Sequence, residues 1–301
     1  VSFGRKVAAL VALLAAQGGL AAWTWRASTA EVAVTPLFPF SPAEVDAVTV
    51  SSRVDAAPGG APISLVRGAS GWRLASAGGY PAASATVDEV LRRLVGAPVQ
   101  APVATRPESH DALHVGADSY ERRVELHAGD RVAVAWLGTT TAGALNVRVD
   151  ARSDVYTLRG LSVFDLGPEA RVFTAPAALD LDAIVSFELR NTHGELRLRR
   201  EGEAWVSSAP VDARRAAALV RRATKLRLVA PVGTEDRPEY GLDGAVHVGW
   251  TLADGTTGGY VAGNPTGVDA WWRLDGSPYV AVVSGLPMTS VRSATLADLA
   301  P

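Results

Sequence analysis

The sequence predicts an α+β fold of two tandem repeats, each an antiparallel sheet of several short strands with one main helix, behind an N-terminal transmembrane helix. Three observations carry this. The stretch Leu219 to Leu242 (LVRRATKLRLVAPVGTEDRPEYGL) restates Val90 to Leu113 (VLRRLVGAPVQAPVATRPESHDAL). Short β-branched runs punctuated by turn residues surround each copy. One long apolar run, Val7 to Trp25, follows two cations at the start of the chain.

The duplication is gapless across that stretch. Arg92 and Arg221, Arg93 and Arg222, Ala101 and Ala230, Pro102 and Pro231, Val103 and Val232, Thr105 and Thr234, and Leu113 and Leu242 all lie 129 residues apart. Further on, Gly138 with Gly263 and Arg148 with Arg273 lie 125 apart, so the copies differ by a loop deletion. Loops are where duplicated domains accumulate such changes. The implied organisation is an anchor or signal segment at 1–32, a Pro-rich spacer at 33–42, a first repeat at 43–168, a connector at 169–178 and a second repeat at 179–301.

Residues 7–25, as a helix, would reach ~28 Å, close to the ~30 Å of a bilayer's hydrocarbon core. Arg5 and Lys6 keep its start cytoplasmic, and Trp23, Trp25 and Arg26 suit the far interface. This places the bulk of the chain in the periplasm, behind a single pass through a bacterial inner membrane. The alternative is a cleaved signal peptide with an apolar core at Val7 to Ala16 and a small-residue site near Ala30. Pro36, Pro39 and Pro42 then impose an extended spacer, on which Phe38 and Phe40 offer rings for docking on the first repeat.

In the first repeat, runs at 45–51, 63–66 and 71–74 read as strands, the last anchored by Trp72. A helix is expected near Thr86, with Thr86 and Glu89 as a capping box and Val87, Val90, Leu91, Leu94 and Val95 on one face. Strands at 124–126 and 132–137 flank an Ala128-Gly129-Asp130 turn, and others follow at 145–149 and 155–158. In the second repeat, strands at 184–189 and 195–199 precede Trp205. Ser208 and Pro210 open a helix whose buried stripe is Ala216, Leu219, Val220, Ala223 and Leu226. Runs at 246–252, 259–262, 271–274 and 279–283 complete it.

Composition narrows the function. A net charge of −2 with pI near 6.3 gives no basic surplus for nucleic acid. The chain has no cysteine, which removes disulfides, thiolate nucleophiles and cysteine-based metal sites. No nucleophile elbow, zinc-protease helix, phosphate loop or dinucleotide fingerprint occurs. His110 and His114 bracket Asp111 at a spacing that a helix would turn into a metal pair, but they sit in a loop and lack a third ligand. No catalytic, cofactor or metal residue is therefore assigned. Two binding features remain. Trp271 and Trp272 are adjacent on a strand and point to opposite faces, so one ring should leave the core. Arg214, Arg215, Arg221 and Arg222, with Lys225 and Arg227, make the second helix cationic outside its apolar stripe.

A Trp-bearing strand, a helix, a Tyr-Gly-Leu corner and a late tyrosine recur behind the N-terminal segment. Trp205, Tyr240, Gly241, Leu242, Gly263 and Tyr279 carry the pattern in the second repeat, and Trp72, Leu113, Gly138 and Tyr156 in the first. In this the chain resembles an uncharacterised bacterial family of membrane-anchored repeat-domain proteins, a domain of unknown function. Such proteins are encoded beside ABC transporter components of the gliding-motility type. Asp111-Ala112-Leu113 stands where the family pattern has Tyr-Gly-Leu, so that corner is expected to be built differently. The resemblance implies an extracytoplasmic accessory of a transporter, with a transporter subunit as its membrane-protein partner and no catalytic residues of its own. The residues alone leave open an envelope carbohydrate or peptidoglycan binder using Trp271 or Trp272, and a hydrolase with a dispersed site.

Overall fold

A computed structural model describes Gln17 and residues 36–53, 61–99, 101–150, 152–167, 169–174, 183–243 and 246–301. The segment from Val7 to Trp25, apart from Gln17, lies outside the described residues, as do Pro168 and, in the connector, Pro176. Among the described residues no helix is long and apolar enough to cross a membrane.

The chain forms two eight-stranded antiparallel sheets and, among the described residues, three α-helices. The first sheet contains β1 (Ala47–Ser52), β2 (Ile63–Gly68), β3 (Gly71–Leu74), β4 (Tyr80–Pro81), β5 (Arg122–Ala128), β6 (Arg131–Thr141), β7 (Ala144–Val149) and β8 (Val155–Arg159). Their order is β4-β3-β2-β1-β5-β6-β7-β8. Two meanders run outward from a central pairing of β1 with β5, which sets Ala47 opposite His127 and Val50 opposite Val124. Helix α1 (Ser84–Leu94) crosses between the two wings. The second sheet repeats the plan with β9 (Ile184–Asn191), β10 (Gly194–Glu201), β11 (Ala204–Val206), β12 (Leu228–Gly233), β13 (Val246–Leu252), β14 (Thr257–Thr266), β15 (Asp269–Leu274) and β16 (Val280–Val283). It is centred on β9 with β13, is crossed by α2 (Ala213–Thr224), and has β12 added beside β16. The matching place in the first repeat holds a single bridge, Ala104 to Val155.

Alternation explains which face is buried. Along β5 every second residue is buried, so Val124 and Leu126 meet Val87, Leu91 and Leu94 of α1 in one core. Strand β7 is buried on both faces: on the side away from the core Arg148 donates to the Val115 carbonyl at 2.8 Å, and Val115, Leu113 and Tyr120 pack on the flanking strands against Val134, Trp136 and Val155. Trp72 fills the first core, its indole N–H bonded to Asp88 of α1 at 2.9 Å and the Arg67 guanidinium 4.5 Å above its ring. In the second core Tyr260 donates to the Ala223 carbonyl at 2.8 Å, tying the end of α2 to the sheet.

Both helices begin differently from expectation. Helix α1 starts at Ser84, two residues before Thr86, with Ala83 at its cap. Ser84 Oγ accepts the Trp72 N–H at 2.9 Å, while Glu89 is engaged by Arg92 and Arg93, so the Thr86–Glu89 box does not form. Helix α2 starts at Ala213, after Ser208 and Pro210. Asp212 caps it, accepting the Arg214 and Arg215 backbone N–H groups at 2.9 Å each.

The corners correct the alignment. The φ of His114 is +56° and that of Gly241 is +62°. A Cβ on Gly138 would lie 2.0 Å from the Leu113 carbonyl oxygen, and one on Gly263 would lie 1.9 Å from that of Tyr240. Leu113-His114-Val115 is therefore the counterpart of Tyr240-Gly241-Leu242, shifted by two residues from the pairing of Leu113 with Leu242. The two turns share one geometry, which His114 adopts despite its Cβ. Tyr156 and Tyr279 are likewise not counterparts. Val155 and Val280 take equivalent places against the corners, and Tyr279 precedes β16 and reaches the other repeat. Its hydroxyl donates to the Gly79 carbonyl at 2.8 Å, and Tyr80 packs edge-on against its ring at 5.2 Å between centroids.

The proline-rich segment is docked from residue 36 onward: Leu37, Phe38 and Phe40 are buried in the first core. Arg131 holds it by donating to the Pro39 carbonyl at 2.9 Å and to Glu44 at 2.6 Å. The Ser41 N–H, Arg131 and the Ser41 hydroxyl together hold the Glu44 carboxyl down at about 2. A carboxyl depressed by folding stabilises above its unfolded pKa of ~4.3 and loses that contribution as pH falls through its folded value. The protection of the Glu44 and Val45 amides, taken relative to their intrinsic exchange rates, is therefore expected to fall between about pH 4.3 and 2, and the Glu44→Gln chain is expected to lack this pH-dependent step. An equal acid response in both chains would assign the acid sensitivity elsewhere.

Candidate functional site

A concavity of the second repeat lies against a helix that the repeat pattern does not announce. Helix α3 (Gly285–Ser293) follows β16 directly. Ser284 occupies its cap position and Pro287 falls in its first turn, where the missing N–H costs nothing. Met288 and Val291, three apart, bury against the sheet and α2. Asn191, at the end of β9, donates to the Val291 and Ala294 carbonyls at 3.2 and 2.9 Å, satisfying the helix's C-terminal end. Ser284, Pro287 and the Met288–Val291 spacing are the sequence signals that would have found this helix.

Gly285 sets how close α3 comes to the sheet. A Cβ there would lie 2.0 Å from the Val268 carbonyl oxygen, in the tight turn between β14 and β15. Asp269 Oδ1 accepts the Gly285 N–H at 3.3 Å from the same turn. Between helix and turn runs a groove of about 960 Å³, lined also by Thr192, His193 and Arg227. Val268 and Leu286 stand at its mouth, 87% and 85% exposed. Half-buried Arg292 donates to the Gly263 carbonyl, and burial pushes its guanidinium below the ordinary arginine value.

The residues singled out in the sequence do not assemble into one site. Trp272 lies in the second core beside Tyr260, 8% exposed, with no hydrogen-bond partner on its indole N–H. Trp271 does point to the other face, as alternation requires, but its ring is half-buried against Tyr240 at 4.1 Å between centroids. The corner of the same repeat covers it, so neither ring offers an open platform for a sugar. Arg214, Arg215, Arg221 and Arg222 are exposed on α2, and Arg215 donates to the Ala300 carbonyl at 2.7 Å. Arg92 and Arg93 of α1, by contrast, share an ion pair with Glu89. The loop histidines diverge: His110 bonds the Ser153 carbonyl at 2.7 Å and His114 meets Glu121 at 3.1 Å. Among the described residues no group of three or more His, Asp or Glu side chains is placed to hold a metal ion.

The model of one family, described as a domain of unknown function (DUF4340), matches residues 72–245, more than half of the chain. The chain belongs to the DUF4340 family. The DUF4340 match runs from Trp72 in β3 to the loop before β13, so it takes in the helix and corner of both repeats. The groove's helix and the β14–β15 turn lie beyond it. No curated protein and no solved structure matches this DUF4340 chain.

Proposed function

We propose that this DUF4340 protein is a non-catalytic, extracytoplasmic accessory or scaffold of a bacterial envelope ABC-type transport system, held at the inner membrane by Val7 to Trp25 and acting through binding. The observation that carries the binding role is the groove beside α3, with Val268 and Leu286 projecting at its mouth. Two exposed aliphatic side chains beside one concavity support reading it as an interaction surface. The envelope setting rests on the apolar run behind Arg5 and Lys6. The transporter partner rests on the resemblance carried by the Trp-strand, helix and corner pattern.

Affinity purification of the full chain from solubilised membranes is expected to recover a transporter subunit. Deletion of the chain is expected to reproduce a transporter-linked phenotype. Recovery of no such subunit, together with unchanged transport on deletion, would overturn the reading.

A further inference from the structure

We propose that the groove between α3 and the β14–β15 turn takes an extended segment of a partner protein in which an aliphatic side chain lies next to a carboxylate. This deepens the function proposed above, on which it rests, by naming the chemistry of the partner.

The size fits. At about 960 Å³ the groove sits at the upper end of the ~300–1,000 Å³ range of sites that enclose a ligand. Its apolar demand is explicit: Met288 and Val246 are buried in its wall, while Val268 and Leu286 are left almost wholly in water at its rim. Covering them with an aliphatic side chain removes apolar surface that nothing else in the described chain shields.

Charge selects the other half of the ligand. Arg227 and Arg292 line the groove against one carboxylate, Asp269, which is turned to the first N–H of α3. Arg292 is half-buried, and among the described residues its guanidinium donates to the Gly263 carbonyl and makes no ion pair. A guanidinium partly withdrawn from water with no counter-ion gains most from a carboxylate brought by a ligand, because such charge-assisted bonds are about twice as strong as neutral ones. Hydroxyls of Ser284, Thr289 and Ser293 interrupt the apolar lining. Those of Thr289 and Ser293 donate to the Gly285 and Thr289 carbonyls at 3.2 Å each and keep lone pairs that can accept a peptide N–H.

The first repeat lacks the device. At the place matching α3 it has turns over residues 163–166 in place of a helix. The site thus belongs to one copy, as expected if the duplicated modules have divided their work.

The test uses the full chain in lipid nanodiscs, immobilised and offered a displayed library of random heptapeptides. Enriched peptides are expected to place Leu, Ile or Val beside Asp or Glu. Their binding is expected to fall at least tenfold in the Leu286→Asp and Arg227→Glu chains, both changed at exposed positions and both retaining the wild-type circular dichroism. Enrichment equal on the Leu286→Asp chain, or winners without an acidic residue, would overturn the proposal. The two proposals fail separately. A transporter subunit that co-purifies equally with the Leu286→Asp chain removes the groove assignment alone, whereas acidic aliphatic winners without any transporter subunit remove the transporter reading alone.

Discussion

Replacing Gly263 with alanine is expected to cost the second repeat about 3 kcal/mol, the upper part of the usual range for overpacking. The added Cβ would sit 1.9 Å from the Tyr240 carbonyl oxygen and 3.0 Å from its carbon, and both are backbone atoms that cannot rotate away. Either β14 must bow or the corner must lift, and lifting the corner uncovers Val280 and the Trp271–Tyr240 pair. Gly138→Ala is expected to do the same in the first repeat, where the Cβ would lie 2.0 Å from the Leu113 carbonyl oxygen. Gly249→Ala is the control, since its Cβ would meet nothing closer than 3.8 Å and its change should stay within about 0.5 kcal/mol. Urea midpoints of the three chains, followed by far-ultraviolet circular dichroism, decide the matter. A Gly263→Ala midpoint equal to that of Gly249→Ala would show that strand and corner yield more easily than their contact implies.

Trp72→Ala is expected to be at least as damaging, by roughly 3–5 kcal/mol. The indole is 2% exposed and fills the space between β3 and α1, so its loss leaves a cavity that the surrounding sheet cannot close. It also removes the N–H bond to Asp88. Trp72→Phe separates the two contributions, keeping most of the volume and losing that bond, for about 1 kcal/mol from the bond itself. If alanine and phenylalanine shifted the urea midpoint equally, the hydrogen bond and not the packing would dominate this site.

Much of the local structure was legible in residues alone. The stripe at Val87, Val90, Leu91 and Leu94 marked α1, and the one at Ala216, Leu219, Val220 and Ala223 marked α2, because a helix returns to one face every three to four residues. Helix starts were not, since the Ser84 hydroxyl accepts the backbone N–H of a strand residue twelve positions away and cannot be recognised as part of a cap. The corner register was misread for a related reason. Sequence identity placed Leu113 with Leu242, but the turn is defined by a left-handed residue packed under a distant glycine, and His114 fills that role without looking like Gly241. Trp271 and Trp272 were correctly split between faces, yet which surface covers the outward ring depends on Tyr240, thirty-one residues earlier.

By itself, then, the sequence determined the duplication, the α+β class and the faces of the two main helices, because each is written in spacings of a few residues. Tertiary structure alone decided that β1 and β5 form the centre of the first sheet and β9 and β13 that of the second, and that α3 presses on the β14–β15 turn to open a groove. Those outcomes depend on pairings such as Ala47 with His127, where the backbones of distant residues satisfy one another. No local periodicity records which distant partner a strand edge will choose.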